Sequence, residues 1–141
     1  MGAGQSDLYK GTYGDRESNL PTEITGNAMP NSDKAITAKE KFMNYSLDYN
    51  NPNAVGKAEA YERGLGFNKS NAESLISQID AAVKSGTNSP IEIISSEFGT
   101  KYKFRIPVKG INGMIKNVIA VYQIDAGSEI PRLITNFLEG K

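Results

Sequence analysis

The stretch KYKFRIPVK, residues 101–109, decides the fold, because it alternates strictly between two kinds of side chain. Apolar side chains stand at Tyr102, Phe104, Ile106 and Val108, and cations occupy most of the positions between them. Successive side chains of a β-strand point to opposite faces, so this alternation predicts a strand with one buried and one solvent-facing side. We expect helices to cover the apolar face and the cationic face to stay open.

Three more stretches around this one predict strands, at residues 91–97, 114–124 and 131–137. The links between them are short and rich in turn residues, as in Gly-Ile-Asn-Gly at 110–113. Short hairpin links require neighbouring strands to be antiparallel. The stretch 114–124 is apolar on both faces, which predicts a central strand that is covered on both sides for part of its length.

The residues before the strands predict about three helices, at 33–45, 54–63 and 70–86. In the third, apolar residues recur at helical spacing from Leu75 to Val83, and Gly86 ends the pattern. Helices that precede strands in the chain, without alternating with them, indicate an α+β domain.

The length of 141 residues is typical of one domain. Residues 1–33 are rich in Gly, Ser, Asn, Thr and Pro and show no apolar period, so we interpret them as a flexible linker or arm. Residues 34–141 are expected to form the folded domain. No apolar run approaches the roughly 20 residues that a membrane span needs.

Charge is distributed unevenly, although 16 cationic and 16 acidic residues balance to a net charge of zero. Residues 99–124 contain no acid, and their five cations are Lys101, Lys103, Arg105, Lys109 and Lys116. Such a row can follow the phosphates of a nucleic acid. The alternative is a solvated edge strand, on which lysines discourage aggregation.

The chain has no histidine and no cysteine. This excludes a catalytic triad or a ribonuclease pair built on histidine, and it excludes thiolate nucleophiles and zinc–thiolate sites. No zinc, calcium or dinucleotide motif is present, so neither a metal nor a cofactor is expected.

Two further places could bind an anion. Lys57 lies in the first turn of the second predicted helix, where its ammonium and the unpaired N–H groups could hold a phosphate, although an ordinary surface lysine is the alternative. Arg132, Thr135 and Asn136 lie on the last predicted strand. Strict alternation puts Arg132 and Asn136 on one face and Thr135 on the other, so a joint site of Arg132 and Thr135 requires a β-bulge or a strand end.

Short motifs in a fixed order add a family resemblance. They are KFMNYSL at 41–47, NAVGKAEAY at 53–61, LGF at 65–67, FGTKY at 98–102 and IPRLIT at 130–135. Together they resemble the C-terminal toxin domains of bacterial contact-dependent growth inhibition and polymorphic toxin effectors, over about residues 34–137. The chain departs from that pattern in lacking a Val-Glu-Asn-Asn junction.

The resemblance implies the fold shared by barnase, EndoU, colicins and RelE, with N-terminal helices on a four- or five-stranded antiparallel sheet. It implies a ribonuclease, often one that cleaves transfer RNA, that a dedicated immunity protein neutralises. Such a domain would be delivered from the cell surface as the tip of a larger effector into a neighbouring bacterium's cytoplasm, where a host factor could activate it.

Without histidine, RNA cleavage by attack of the ribose 2′-OH, leaving a cyclic phosphate, must use other groups. We expect Lys57, Lys101, Arg105 and Arg132 to supply charge, with Thr135 beside them, and Tyr122, Tyr102 or a lysine to move protons. Binding of RNA would fall to the other open-face and hairpin cations, Lys103, Arg105, Lys109 and Lys116.

Two other functions remain open. The chain could be a non-catalytic immunity or adaptor module that binds a protein with the same sheet, although immunity proteins of basic nucleases are usually acidic. It could also be a DNA nuclease, which usually needs a metal held by carboxylates or histidine.

Overall fold

The structure is a computed structural model that describes residues 28–140. It confirms an α+β architecture with two α-helices that precede four β-strands. The elements are α1 (Val55–Leu65), α2 (Ala72–Lys84), β1 (Glu92–Ser96), β2 (Gly99–Lys109), β3 (Ile115–Asp125) and β4 (Arg132–Leu138).

The four strands form one antiparallel sheet in the order β1-β2-β3-β4, as the short links predict. The longest pairing joins β2 to β3 and runs from Gly99–Asp125 to Lys109–Ile115. In the turn between them, Gly113 has φ 86°, a left-handed conformation that glycine adopts at low cost.

The predicted helices at 54–63 and 70–86 are present as α1 and α2. Gly66 ends α1 with φ 80°, and α2 turns Leu75, Ile79 and Val83 into the core. Both helices pack on the sheet face that carries the apolar residues of β2.

The prediction of a first α-helix at 33–45 is wrong. The chain instead forms a 3₁₀ turn at Ser32–Lys34 and a π-helix at Phe42–Ser46. Between them Ile36 pairs in parallel with the start of β4, donating its N–H to Pro131 O at 2.9 Å and accepting from Leu133 N at 2.9 Å. Those backbone bonds to a distant strand replace the ones that a local helix would make.

The core lies between the helices and one face of the sheet, and the prediction for β2 is confirmed. Tyr102, Phe104, Ile106 and Val108 are buried, whereas the cationic positions face outward. On the opposite face, Ile119 of β3 is also buried. β3 lies between β2, which carries Arg105, and β4, which Glu139 directly follows, so the Arg105–Glu139 ion pair crosses β3.

The proposed boundary at residue 33 stays a prediction, because residues 1–27 lie outside the described part. Met29 already belongs to the core, however, so packed structure extends to that residue. No helix within residues 28–140 has the length and hydropathy to cross a membrane.

Candidate functional site

The side chain of Lys57 lies in a small cluster beside the edge strand β4. Its Nζ donates hydrogen bonds to Tyr45 Oη at 2.8 Å and to Thr135 Oγ1 at 3.1 Å. The same Nζ lies 4.3 Å from the centroid of the Tyr45 ring and 5.3 Å from that of Phe137. An ammonium has three N–H donors, so these two bonds leave one for a ligand. We call Tyr45, Lys57, Thr135 and Phe137 the lysine cluster.

Three separate elements position the lysine cluster. Lys57 is in the first turn of α1, which packs against β4, the strand of Thr135 and Phe137. Tyr45 belongs to the π-helix Phe42–Ser46. π-helical turns are rare and occur frequently at functional sites.

Lys57 changes the acidity of Tyr45. The hydrogen bond from Lys57 lowers the pKa of the Tyr45 phenol below its usual value, since the ammonium stabilises the phenolate; partial burial acts in the opposite direction. At any given pH a larger fraction of Tyr45 is therefore ionised than of an ordinary tyrosine, and this larger population of phenolate is what could accept a proton.

A β-bulge in β4 places Arg132 and Thr135 on the same face of the sheet. Val121 pairs with Thr135, but the next residue, Tyr122, pairs with Leu133, so Ile134 is the extra residue. Because the extra residue reverses the alternation, both side chains lie on the open face.

Asn136 then lies on the core side, where it is buried. Its Oδ1 accepts a hydrogen bond from the buried Tyr61 hydroxyl at 2.8 Å, and its Nδ2 donates to Lys41 O at 3.4 Å. Strict alternation had predicted that Asn136 shares a face with Arg132. The bulge places the two side chains on opposite faces instead.

Arg132 is held by a carboxylate. Its Nε donates to Asp125 Oδ2 at 2.7 Å and its Nη2 to Asp125 Oδ1 at 3.0 Å. Arg132 lowers the pKa of Asp125, and the amide of Gln123, which bonds to the same carboxylate, adds to this effect. Lys101, Gln123 and Arg132 form one row across β2, β3 and β4 on the open face.

Two cations of the acid-free stretch 99–124 form ion pairs with acidic residues from elsewhere in the chain. Arg105 makes a bidentate ion pair with Glu139, with N···O distances of 2.7–3.0 Å. Lys103 pairs with Glu92 at 3.4 Å. Both acids lie outside residues 99–124, so the charge of this face is partly neutralised.

Lys109 and Lys116 lie at the far end of the sheet, on either side of the 110–113 turn. Their side chains belong to opposite faces, because Lys109 pairs with Ile115 while Lys116 pairs with Val108. They do not join the Lys101–Arg132 row.

Tyr122 is on the helix-packed face and is fully buried. Its hydroxyl shares a hydrogen bond with Thr37, its ring packs edge-to-face on Phe104, and burial raises its pKa. Burial also raises the pKa of Tyr102 to about 12. The structure thus keeps both tyrosines apart from the open-face cations.

Sequence reasoning missed Tyr45, Phe137 and Asp125. Tyr45 is part of the 41–47 motif, but it lies at the end of the α-helix that was wrongly predicted at 33–45. The apolar spacing of that predicted helix indicated no functional role for it. From the sequence, Asp125 was interpreted as a turn residue between the last two strands. Only the geometry of the β3–β4 hairpin brings its carboxylate to Arg132. Within residues 28–140, no group of three or more acidic residues is placed to hold a metal ion.

Comparisons with known proteins follow the fold. The chain is similar to a structure described as a contact-dependent growth inhibition toxin–immunity protein complex from Klebsiella pneumoniae 342, with a TM-score of 0.57 and 11% sequence identity. The match covers 78% of this chain and 97% of that chain, and it shows a shared fold. No curated protein is significantly similar in sequence. A family model matches residues 28–140, and the chain therefore belongs to the family described as Domain of unknown function (DUF6883).

Proposed function

We propose that this domain is an antibacterial toxin module that cleaves RNA, with transfer RNA as its substrate class. The observation that carries the proposal is the hydrogen-bonded group of Tyr45, Lys57 and Thr135 at β4, with Arg132 on the same sheet face as Thr135. Cations and a hydroxyl on one sheet face fit a phosphodiester. The shared fold with a toxin–immunity complex supports the same reading.

The mechanism assigns a part to Tyr45, Lys57 and Thr135 of the lysine cluster and to Arg132. The Tyr45 phenolate accepts the proton of the ribose 2′-OH, which attacks the adjacent phosphorus and expels the 5′-oxygen to leave a cyclic phosphate. The departing 5′-oxygen takes its proton from water. Lys57 and Arg132 neutralise the charge that develops on the phosphoryl oxygens, and the Thr135 hydroxyl donates to one of them. Arg132 exchanges Asp125 for the phosphate as the substrate binds. Lys101 extends the cationic row.

The proposal includes the biological setting. The fold would be a variant of the barnase/EndoU/colicin/RelE type, the domain would travel as the tip of a larger effector into a neighbouring bacterium, and an immunity protein would protect the producer. A host factor could be needed for activity. The remaining cations, Lys103, Arg105, Lys109 and Lys116, would contact RNA outside the cleavage site.

The test is cleavage of a total transfer RNA pool by the purified domain, with product ends mapped by sequencing. We expect Lys57→Ala, Arg132→Ala and Tyr45→Phe each to lower the rate by 10²-fold or more, on the order that loss of a charge-stabilising or proton-transfer group costs. Lys84→Ala and Arg63→Ala are matched controls, since Lys84 and Arg63 are surface residues of α2 and α1. Cleavage by the Lys57 and Arg132 variants at the parent rate would refute the site.

A non-catalytic protein-binding module is the second candidate, and a specific observation favours it. The β2–β3 turn and the first residue of β3 expose three large apolar side chains, those of Ile111, Met114 and Ile115, and exposed apolar groups mark protein contacts. Expression in bacteria separates the two functions, because a toxin domain arrests growth and an adaptor does not. A DNA nuclease would instead cut DNA and be inhibited by EDTA.

A further inference from the structure

Phe98, in the turn between β1 and β2, exposes a large aromatic ring. Its relative exposure of 70% is the highest of any large hydrophobic residue in 28–140. The hydrophobic core does not include it. A buried location would stabilise the domain by about 1.5–3 kcal/mol relative to exposure, so the position of this ring is not explained by folding.

Hydrogen bonds hold the backbone of the turn that carries this exposed ring. Phe98 N donates to Ser96 Oγ at 3.1 Å and Phe98 O accepts from Ala126 N at 2.9 Å. The next residue, Gly99, has φ 137°, and a Cβ there would lie 2.3 Å from Ile124 O. The β1–β2 turn is therefore packed directly against the end of β3.

The Lys101–Arg132 row lies at the same end of the sheet as this turn. Ala126, which bonds to Phe98, follows Asp125, and the Asp125 carboxylate holds Arg132. Lys101 lies two residues after Gly99 on the open face, in register with Gln123 and Arg132. Two strand spacings, or roughly 10 Å, separate β2, where the turn ends, from β4, a distance that about two nucleotides can span.

We propose that Phe98 is a stacking platform for an unpaired nucleobase of an RNA whose phosphates lie along the Lys101–Arg132 row. The inference rests on the proposed function and adds a base-binding site to it. Aromatic rings stack on the faces of splayed bases, and cations beside them bind the backbone. The exposed aliphatic residues at the opposite hairpin, such as Ile111, offer no such π-surface and serve as the contrast.

The test uses a short single-stranded 2′-O-methyl RNA that contains 2-aminopurine, because the blocked 2′-OH prevents cleavage and the fluorescence of this base reports stacking. We expect Phe98→Ala and Phe98→Leu to weaken binding about 5- to 150-fold and to abolish the fluorescence change. Phe98→Trp should keep both, since it preserves an aromatic face. Ile111→Ala is the matched control and should bind like the parent.

Each outcome decides the question. If Phe98→Leu binds like the parent, apolar bulk suffices and the stacking site is refuted. If Phe98→Ala leaves binding unchanged, the exposed ring does not contact RNA and the stacking site is refuted. A parent that cleaves transfer RNA while all Phe98 variants match it would overturn this inference alone. A parent that neither binds nor cleaves RNA would overturn the proposed function with it. Because Phe98 is exposed, thermal unfolding of the variants should stay close to that of the parent and confirm that they fold.

Discussion

Tyr61 and Asn136 offer the sharpest test of the bulge that builds the site. Both side chains are fully buried, and the Tyr61 hydroxyl donates to Asn136 Oδ1 at 2.8 Å. If β4 had no bulge at Ile134, regular pairing would move either Asn136 or Arg132 to the other face. The energy of this buried bond therefore reports on the register on which the joint site of Arg132 and Thr135 depends.

The magnitude follows from what each substitution leaves behind. Tyr61→Phe removes the donor and leaves Asn136 Oδ1 buried without its partner, which costs about 1–3 kcal/mol. For a domain of this size, a loss of 2 kcal/mol lowers Tm by roughly 8 °C or somewhat more. Adding Asn136→Leu to Tyr61→Phe replaces both polar groups by apolar ones, so the double variant should recover part of the loss. The recovery is incomplete because Lys41 O loses its 3.4 Å bond from Asn136 Nδ2.

The assay is thermal and urea unfolding of the parent, the two single variants and the double variant. We expect a coupling energy of about 1–2 kcal/mol from this cycle. Tyr49→Phe is the matched control, because the Tyr49 hydroxyl donates to Glu62 at 2.7 Å on the exposed surface, where water replaces the bond at little cost. A coupling energy near zero, with Tyr61→Phe as stable as the control, would refute the buried pair and with it the register of β4.

Three other predictions use the same reasoning. Lys57→Met removes the hydrogen bond and the charge that lower the pKa of Tyr45, so that pKa should rise toward the usual 10.0 in NMR of labelled tyrosine; an unchanged value would contradict the geometry of the lysine cluster. The folded-state pKa of Asp125 lies below its ordinary 3.8, so its contribution to stability is present above about pH 4 and is lost on acidification through the folded pKa. As the pH is lowered, the urea midpoint of Asp125→Asn should therefore fall less steeply than that of the parent. Parallel curves would count against the ion pair. Gly99→Ala should destabilise the fold by several kcal/mol or prevent folding, because its Cβ would lie 2.3 Å from a backbone oxygen. Gly56→Ala is the control: its Cβ would have no atom within 4 Å, so this variant should be neutral or more stable by up to about 1 kcal/mol. Equal melting temperatures for the two variants would show that the close approach at Gly99 is absent.

The strands and the two α-helices were predictable because their signals are local. Alternation in 101–109 and helical spacing from Leu75 to Val83 report which side of each element meets a core. The failure at 33–45 has the opposite cause. Ile36 takes its backbone partners from Pro131 and Leu133, and no periodicity within the segment itself reveals a partner so distant in the chain.

The sequence by itself determined the order of elements, the antiparallel sheet and the face of β2 that is buried, since each depends on neighbours along the chain. It also determined that any chemistry here must do without histidine and cysteine. Only the tertiary structure decided what stands beside Lys57: Thr135 is 78 residues away in the chain, yet bonds to it at 3.1 Å. One inserted residue in β4 decided which face carries Arg132 and Thr135, because a side-chain period of two reverses at every bulge.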